Sequence, residues 1–369
     1  MNAAPSPFMA LAIEAAATAR GATSPNPWVG AVLVRDGRPI ASGATQPPPG
    51  LHAEAAAFAA AGAAASGADL YTTLEPCTPF PGKRTPSCAE AAVAAGVRRV
   101  VIALQDPDPN VAGRGIALLR AAGVAVEIGD GAEAVTRQLR PYLKHRQTGL
   151  PYVIAKWAAS LDGRTSTAGG DSKWITGEAA RDRAHHERAR VDAVMVGSGT
   201  VLADDPALTA RPAGIVAARQ PLRVILDSRG RIPSTARLFA EPGRVIVATS
   251  AAAPGAWKKA VAAADAHVIL CESTREGIDL DQLFAVLGAR GIMSLWAEGG
   301  ATLLGSLFDG AHVDEVWAFL APLVIGGGST AVAGTGAVHV AAATALYDVE
   351  SERLGADLLV RGYTTNWRP

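Results

Sequence analysis

The chain has 369 residues and carries 34 Lys+Arg against 34 Asp+Glu, a formal net charge of zero. That balance argues against a broad polyanion-binding surface, which needs a basic excess to displace counterions, but leaves room for a local pocket holding one phosphate. With 49% hydrophobic and 18% charged residues wholesale disorder is excluded. Three cysteines, Cys77, Cys88 and Cys271, exclude a disulfide framework and suit a reducing cytosol.

At about 100–200 residues per domain the length suggests two domains. The opening stretch has no basic leader, and Glu14 interrupts its apolar run, so an amphipathic helix is expected there rather than a signal peptide. No apolar run approaches the ~20 residues that span a bilayer, and a soluble, cytoplasmic protein is expected. Patterning then predicts strands at Val29–Val34, Leu70–Leu74 and Arg99–Ala103, with helices at Ala53–Ala64 and Ala89–Gly96. A helix from Ala132 to Arg146 ends in Lys144, His145 and Arg146, cations that suit a helix C-terminus. Gly149-Leu150-Pro151 reads as a helix stop and linker, placing a first domain at 1–147 and a second at 148–369. The second half opens with a strand, Tyr152–Ala158. It continues with strands Asp192–Val196, Leu222–Leu226, Arg244–Ala248, His267–Leu270, Ser294–Trp296 and Glu315–Leu320, and helices near 178–190, 279–289 and 301–309. Alternation of this kind along the whole chain is α/β.

In the first half, His52-Ala53-Glu54 sits where a Pro/Gly-rich loop meets a predicted helix; Pro76-Cys77 follows a strand, and Cys88 opens the next helix. One imidazole and two thiolates supply three ligands for a tetrahedral zinc and leave a position for water. Zinc lowers the pKa of that water, and Glu54 is placed to carry its proton to a departing amine without binding the metal. This is the H-x-E…P-C…C pattern of zinc nucleobase deaminases. A structural zinc site is the alternative, but it would want a fourth protein ligand, and no further Cys or His lies before Lys144. Cys271, at a strand end in the second half, is expected to be a small buried hydrophobe.

In the second half, Gly197-Ser198-Gly199-Thr200 and Glu298-Gly299-Gly300 each follow a strand and open a helix, and Gly326-Gly327-Gly328 is placed at the end of a third strand. Glycines at strand-to-helix turns let backbone N–H groups approach a phosphate, although each cluster alone also suits an ordinary tight turn. None is the dinucleotide fingerprint with an acidic residue ~20 positions on, so a Rossmann fold is not expected. Arg188 and Arg211 are planar forks suited to phosphate. His185 and His186 are adjacent and point to different sides of their helix, which argues against a metal pair. No catalytic dyad is evident in this half.

The chain resembles the RibD family of bifunctional riboflavin-biosynthesis enzymes. In the first half the resemblance is carried by Ser24 through Val32, His52-Ala53-Glu54, Thr73 through Cys77, Arg84 through Cys88, and Asp106-Pro107 with Val111 through Gly115. In the second it is carried by Lys156, Ser160 through Arg164, Ser172 through Gly177, Asp192 through Gly197, Gly199 through Arg211, Pro221 through Ser228, and Glu298-Gly299-Gly300. It implies a cytidine-deaminase-like three-layer α/β/α domain followed by a dihydrofolate-reductase-like α/β domain. It further implies zinc on His52, Cys77 and Cys88, Glu54 as proton carrier, and Asn26 and Arg84 as substrate contacts. For the reductase it implies NADPH along Ala158, Trp174, Thr200, Asp204 and Ser228. The cofactor phosphates would lie in the turn Gly300, Ala301, Thr302, Leu303, Leu304, Gly305 and Ser306, and the ribosyl substrate along Ser172, Arg188, Leu208, Arg211 and Glu298. Two departures stand out: Cys77 and Cys88 are separated by ten residues where the family has eight and a His pair, and Thr45 stands where the family often has His. Lys83 is an extra cation in that loop.

The implied reactions are hydrolytic deamination of 2,5-diamino-6-(5-phosphoribosylamino)pyrimidin-4-one and NADPH-dependent reduction of the ribosyl group of the product to ribityl. The expected partners are these small molecules and a second copy of the chain, with no nucleic acid and no membrane. A nucleic-acid-editing deaminase would share the zinc pattern but needs a basic groove. A reductase carrying a structural zinc in an inactive first domain would have no reason to keep Glu54. The residues themselves leave NADPH against NADH open.

Overall fold

The structure, a computed structural model, describes residues 4–80, 86–274 and 277–365, and the chain parts into two units between Gly149 and Leu150. The first unit runs α1 (Pro7–Ala19), β1 (Gly30–Arg35), β2 (Arg38–Ala44), α2 (Ala53–Ala61), β3 (Asp69–Leu74), α3 (Cys88–Ala94), β4 (Arg99–Leu104), α4 (Arg114–Ala121), β5 (Ala125–Ile128) and α5 (Ala132–Thr148). Its five strands lie in the order β2-β1-β3-β4-β5. β1 is antiparallel to both neighbours, while β3, β4 and β5 are parallel.

Two glycines place helices on opposite faces of this sheet. Gly30 pairs with Ala44 and Ala31 with Gly43, so Gly30 and Gly43 point to opposite sides. A Cβ on Gly30 would lie 1.9 Å from the Ala12 carbonyl oxygen of α1, and one on Gly43 would lie 2.3 Å from the Ala53 carbonyl oxygen of α2. Close approach of backbone to sheet is thus written into the sequence as Gly against Ala-rich helices. α1 lies beside α5, and α2, α3 and α4 neighbour one another, giving the layered α/β/α arrangement.

The second unit runs β6 (Tyr152–Ser160), α6 (Glu178–Arg188), β7 (Ala193–Gly197), α7 (Ser198–Asp204), β8 (Leu222–Leu226), α8 (Arg237–Ala240), β9 (Val245–Thr249), α9 (Gly255–Ala263), β10 (Ala266–Leu270), α10 (Leu280–Ala289), β11 (Ser294–Ala297), α11 (Ala301–Asp309), β12 (Glu315–Ala321), β13 (Tyr347–Leu354) and β14 (Asp357–Tyr363). Nine strands form one sheet in the order β10-β9-β8-β7-β11-β6-β12-β14-β13, parallel from β10 to β12 and antiparallel beyond. Successive residues of β6 feed the two faces: Val153 and Ala155 enter one core, Tyr152 and Ile154 the other. β11 is inserted between β6 and β7, so the loops leaving these strands diverge at their C-terminal ends, where open α/β sheets place their ligands.

The elements expected from patterning are present with shifted ends. β2, α4, β5, α9 and the β13–β14 hairpin carry too little periodicity to be read; β2, for example, is Arg-Pro-Ile-Ala-Ser-Gly-Ala and mostly solvent-facing. One expectation fails. Gly326-Gly327-Gly328 does not close a strand or open a helix: β12 ends at Ala321, and the glycines follow in a loop. A Cβ on Gly328 would lie 2.0 Å from the Ser166 carbonyl oxygen, so at least this glycine serves the close passage of two loops.

Candidate active sites

The first unit gathers its chemistry at the ends of β3, α2 and α3. His52 is the N-cap of α2, which sets Glu54 in the first turn. Cys77 follows β3, and Cys88 is the first residue of α3, where Ser87 caps the helix by accepting from Glu90 N. Ser87 Oγ donates to the Cys77 carbonyl oxygen at 3.0 Å and Ala89 N donates to it at 3.1 Å, tying α3 to the Cys77 loop. His52 Nδ1 lies 3.5 Å from Cys77 Sγ and 3.5 Å from Cys88 Sγ, and the three ligand atoms all lie within 4.8 Å of one another. A tetrahedral zinc with ordinary Zn–S and Zn–N bonds has an N-to-S edge of about 3.6 Å, so this donor set fits zinc in chemistry and spacing.

Electrostatics at this centre follow from burial. The Glu54 carboxyl is 3% exposed, and burial, reinforced by the Cys77 charge, pushes its pKa up to about 7. A hydrogen bond from Cys88, aided by His52, holds the Cys77 thiol down at about 3, whereas the same bond and burial push Cys88 well up.

A cleft of about 690 Å³ opens over these residues, lined also by Asn26, Thr45, Phe80, Asp106, Asp108, Tyr142 and Arg146. Asn26 is set by a closed loop in which Asn26 N donates to the Thr23 carbonyl oxygen at 2.8 Å. Thr45 Oγ1 accepts from Val29 N at 3.1 Å and so is committed to the strand end. Arg84, with Lys83, lies outside the described residues. The acidic and aromatic wall is what sequence reasoning missed. Tyr142 donates to both oxygens of Asp106 at 2.9 and 3.1 Å, and burial pushes Asp106 up to about 6. Its signal in the sequence is the Asp106-Pro107 motif.

The second unit has a cleft of about 860 Å³. Ala158, Ser172, Trp174, Arg188, Thr200, Asp204, Leu208, Arg211, Glu298 and Gly300 all line it. Ser228, Thr302, Leu303 and Ser306 line a smaller cleft that shares Thr200 and Gly300 with the first. Leu304 and Gly305, by contrast, are buried in the core and line neither cleft; a Cβ on Gly305 would lie 1.5 Å from the Ala333 carbonyl oxygen. The helix explains this. Leu304 N already donates to the Gly300 carbonyl oxygen, so the helix N–H groups left for an anion are those of the first turn, Ala301 to Leu303, beside the Thr302 hydroxyl, while Ser306 Oγ donates to the Thr302 carbonyl oxygen at 3.1 Å. Gly300 N donates to Thr200 Oγ1 at 3.2 Å, joining the β7 and β11 turns into one wall. A Cβ at Gly300 would meet only that hydroxyl, at 3.9 Å, so the glycine keeps the groove open. These features fit a dinucleotide phosphate.

The structure adds an ion-pair cluster in this half that no local sequence pattern records. Lys156 on β6 and Glu298 after β11 meet across adjacent strands, with Nζ 4.0 Å from Oε2, and Arg188 Nη2 lies 2.6 Å from Glu298 Oε1. Burial lowers the Lys156 pKa against the pull of Glu298. Burial raises that of Glu298, but the two cations overcome it and the net shift is downward. Arg188 also donates to the Thr209 carbonyl oxygen at 3.2 Å, so its fork is largely spent inside the site. Arg211 N donates to His185 Nδ1 at 3.3 Å, which fixes the imidazole beside the cleft. Trp174 is 70% exposed with the Arg181 guanidinium 4.7 Å from its ring centre, a flat platform on the rim.

Comparison with known proteins agrees with this division. Residues 151–360 match the family model described as the RibD C-terminal domain, and residues 4–104 match the cytidine and deoxycytidylate deaminase zinc-binding region. The chain is 40% identical to riboflavin biosynthesis protein RibD of Chlamydia pneumoniae over 354 residues, 96% of this chain and 94% of that one. Among solved structures it is similar to Acinetobacter baumannii RibD, with a TM-score of 0.87, 38% identity and coverage of 96% of this chain and 97% of the other. It is also similar to the diaminohydroxyphosphoribosylaminopyrimidine deaminase/5-amino-6-(5-phosphoribosylamino)uracil reductase of Thermotoga maritima, with a TM-score of 0.84, 34% identity and coverage of 96% and 97%.

Proposed function

This chain belongs to the RibD family, and from that premise we infer how its residues divide the work of a bifunctional deaminase and reductase of riboflavin biosynthesis. The observation that carries the deaminase half is the convergence of His52, Cys77 and Cys88 beside buried Glu54. When bound there, zinc supplies a Lewis acid that lowers the pKa of water. Glu54 takes the proton of the water that adds to the amino-bearing pyrimidine carbon and returns it to the departing amine, so ammonia leaves. A buried carboxyl two residues from His52, in the first turn of α2, is suited to both transfers. Asn26 and the Asp106–Tyr142 wall orient the ring and its sugar.

In the second unit NADPH, when bound, supplies a hydride to C1′ of the ribosyl group. The first turn of α11, Ala301 to Leu303, with Gly300 and the Thr302 hydroxyl, would hold its phosphates. Lys156 is placed to give a proton to the sugar oxygen as the ring opens, and Glu298 keeps the lysine charged in a desolvated site. Ser172, Leu208 and Arg211 border the substrate, and Arg188 holds Glu298.

Two further assignments go with this function. β13 is an edge strand with Val349 on it 55% exposed, and Val338 and Val340 in the segment leading to it are 85% and 94% exposed, which supports a homo-oligomer formed with a second copy of the chain; sedimentation of the full chain tests it. No helix among the described residues is long and apolar enough to cross a membrane, and the absence of a disulfide among Cys77, Cys88 and Cys271 supports a cytoplasmic location.

The test is ammonia release from the free phosphoribosyl diaminopyrimidine. Wild type releases it, and Glu54→Gln loses at least roughly a hundredfold in rate while keeping its zinc. Zinc retained with no release by wild type would favour a structural metal in an inactive domain.

A further inference from the structure

Residues 208–213 run between α7 and β8, outside every strand. Leu208 and Ala213 have φ of 54° and 51°, in the left-handed region that side chains disfavour, so this backbone persists only where its surroundings hold it. The holding comes from α6. Asp182, His185 and Arg188 are spaced three apart and so lie along one side of that helix. Asp182 Oδ1 accepts from Ala213 N at 2.6 Å, His185 Nδ1 accepts from Arg211 N at 3.3 Å, and Arg188 Nη1 donates to the Thr209 carbonyl oxygen at 3.2 Å. Successive turns of the helix thus grip every second residue of the segment. Ala210, between two of these, is held by Gln220 instead: its N donates to Oε1 at 2.8 Å, and its carbonyl oxygen accepts from Nε2 at 3.1 Å.

What the grip serves follows from what the segment presents. Leu208 and Arg211 line the large cleft together with Lys156 and Glu298. The Arg188 guanidinium that holds Thr209 also meets Glu298 at 2.6 Å, so one helix registers the wall of the cleft against the Lys156–Glu298 pair. Burial and the cations of Arg188 and Arg211 keep the His185 imidazole neutral, which leaves Nδ1 a lone pair with which to accept. Resting on the reductase reading above, we propose that Asp182 and His185 are positioning residues: they fix the backbone from Arg211 to Ala213 so that Leu208 and Arg211 meet the ribosyl substrate, and so set the affinity for that substrate rather than the rate of its reduction.

The test is steady-state reduction of 5-amino-6-(5-phosphoribosylamino)uracil by the full chain, with KM measured for this substrate and for NADPH. His185→Ala is expected to raise the substrate KM by roughly five- to tenfold, with kcat within about threefold and the KM for NADPH within about twofold of wild type. His185→Asn, whose Oδ1 stands where the imidazole Nδ1 stood, should recover most of that loss. Asp182→Ala should shift the substrate KM in the same sense; its side chain is 40% exposed, so it keeps the claim testable should His185→Ala fail to fold. An unchanged substrate KM in either folded alanine variant, an equal loss for substrate and NADPH, a fall in kcat alone, or no recovery in His185→Asn overturns the proposal while wild-type turnover upholds the reductase. Wild type that does not oxidise NADPH with this substrate overturns both.

Discussion

Burial acts on Glu54 and Lys156 in opposite chemical directions, raising the carboxyl and lowering the ammonium, because in each case it disfavours the charged form. Each is then adjusted by a neighbour of its own site, Cys77 for the first and Glu298 for the second. Replacing Lys156 with Met removes the charge and keeps the bulk, and Glu298 retains Arg188 as its partner. The variant is therefore expected to fold, to lose roughly a hundredfold or more in reduction rate, and to release ammonia at the wild-type rate, which NADPH oxidation and ammonia assays on one preparation will check. His185 gives a pH signature. Burial first, then the cations of Arg188 and Arg211, lower its pKa to about 4, against an ordinary value of 6.5. The unfolded chain thus takes up the proton first. The stability contributed by neutral His185 is full above about pH 6.5 and is lost as pH falls toward about 4. His185→Gln should flatten that part of the unfolding-midpoint profile; an unchanged profile would show that the imidazole is not held neutral. The zinc ligands and Glu54 were legible because three short motifs sit at strand and helix ends in chain order. The Lys156–Glu298 pair was not, because its members are joined only by the pairing of β6 with β11, which no local pattern records.

At the scale of elements, the deaminase loop is held by a carboxylate. Glu75, next to Pro76 and Cys77, accepts from Asp106 N, Gly113 N, Gly115 N and Ile116 N at 2.9–3.2 Å, and so anchors the start of α4 to the end of β3. A Cβ on Gly115 would lie 2.1 Å from the Pro76 carbonyl oxygen, so the contact tolerates no side chain. Glu75→Ala leaves several buried N–H groups without a partner and is expected to cost about 3 kcal/mol or more, with weakened zinc retention, read by thermal unfolding and metal content. α4 itself escaped sequence reasoning because its signal is a Gly-rich turn whose cap comes from another strand rather than from a local Ser, Thr or Asp. The glycines of the second unit teach the complementary lesson. Gly300 and Gly328 look alike in the sequence, yet one keeps a groove open and the other lets two loops pass; what a glycine serves is decided by its neighbours in space.

At the scale of the whole chain, alternation of helix and strand made the two-part α/β plan legible, since central parallel strands such as β4 in the first unit and β7 and β9 in the second are apolar runs buried along nearly their whole length. The antiparallel hairpin β13–β14 was not, because its outward face is exposed and its pattern mixed. The central claim is that one chain catalyses two successive reactions at two chemically separate sites. Mass spectrometry of the pyrimidine product after incubation with the purified chain tests it most directly. Without NADPH the account predicts a product in which an amino group has become oxygen, and with NADPH the same product carrying two further hydrogens. Reduction of the substrate that still bears its amino group, or no deamination by zinc-loaded protein, would contradict it.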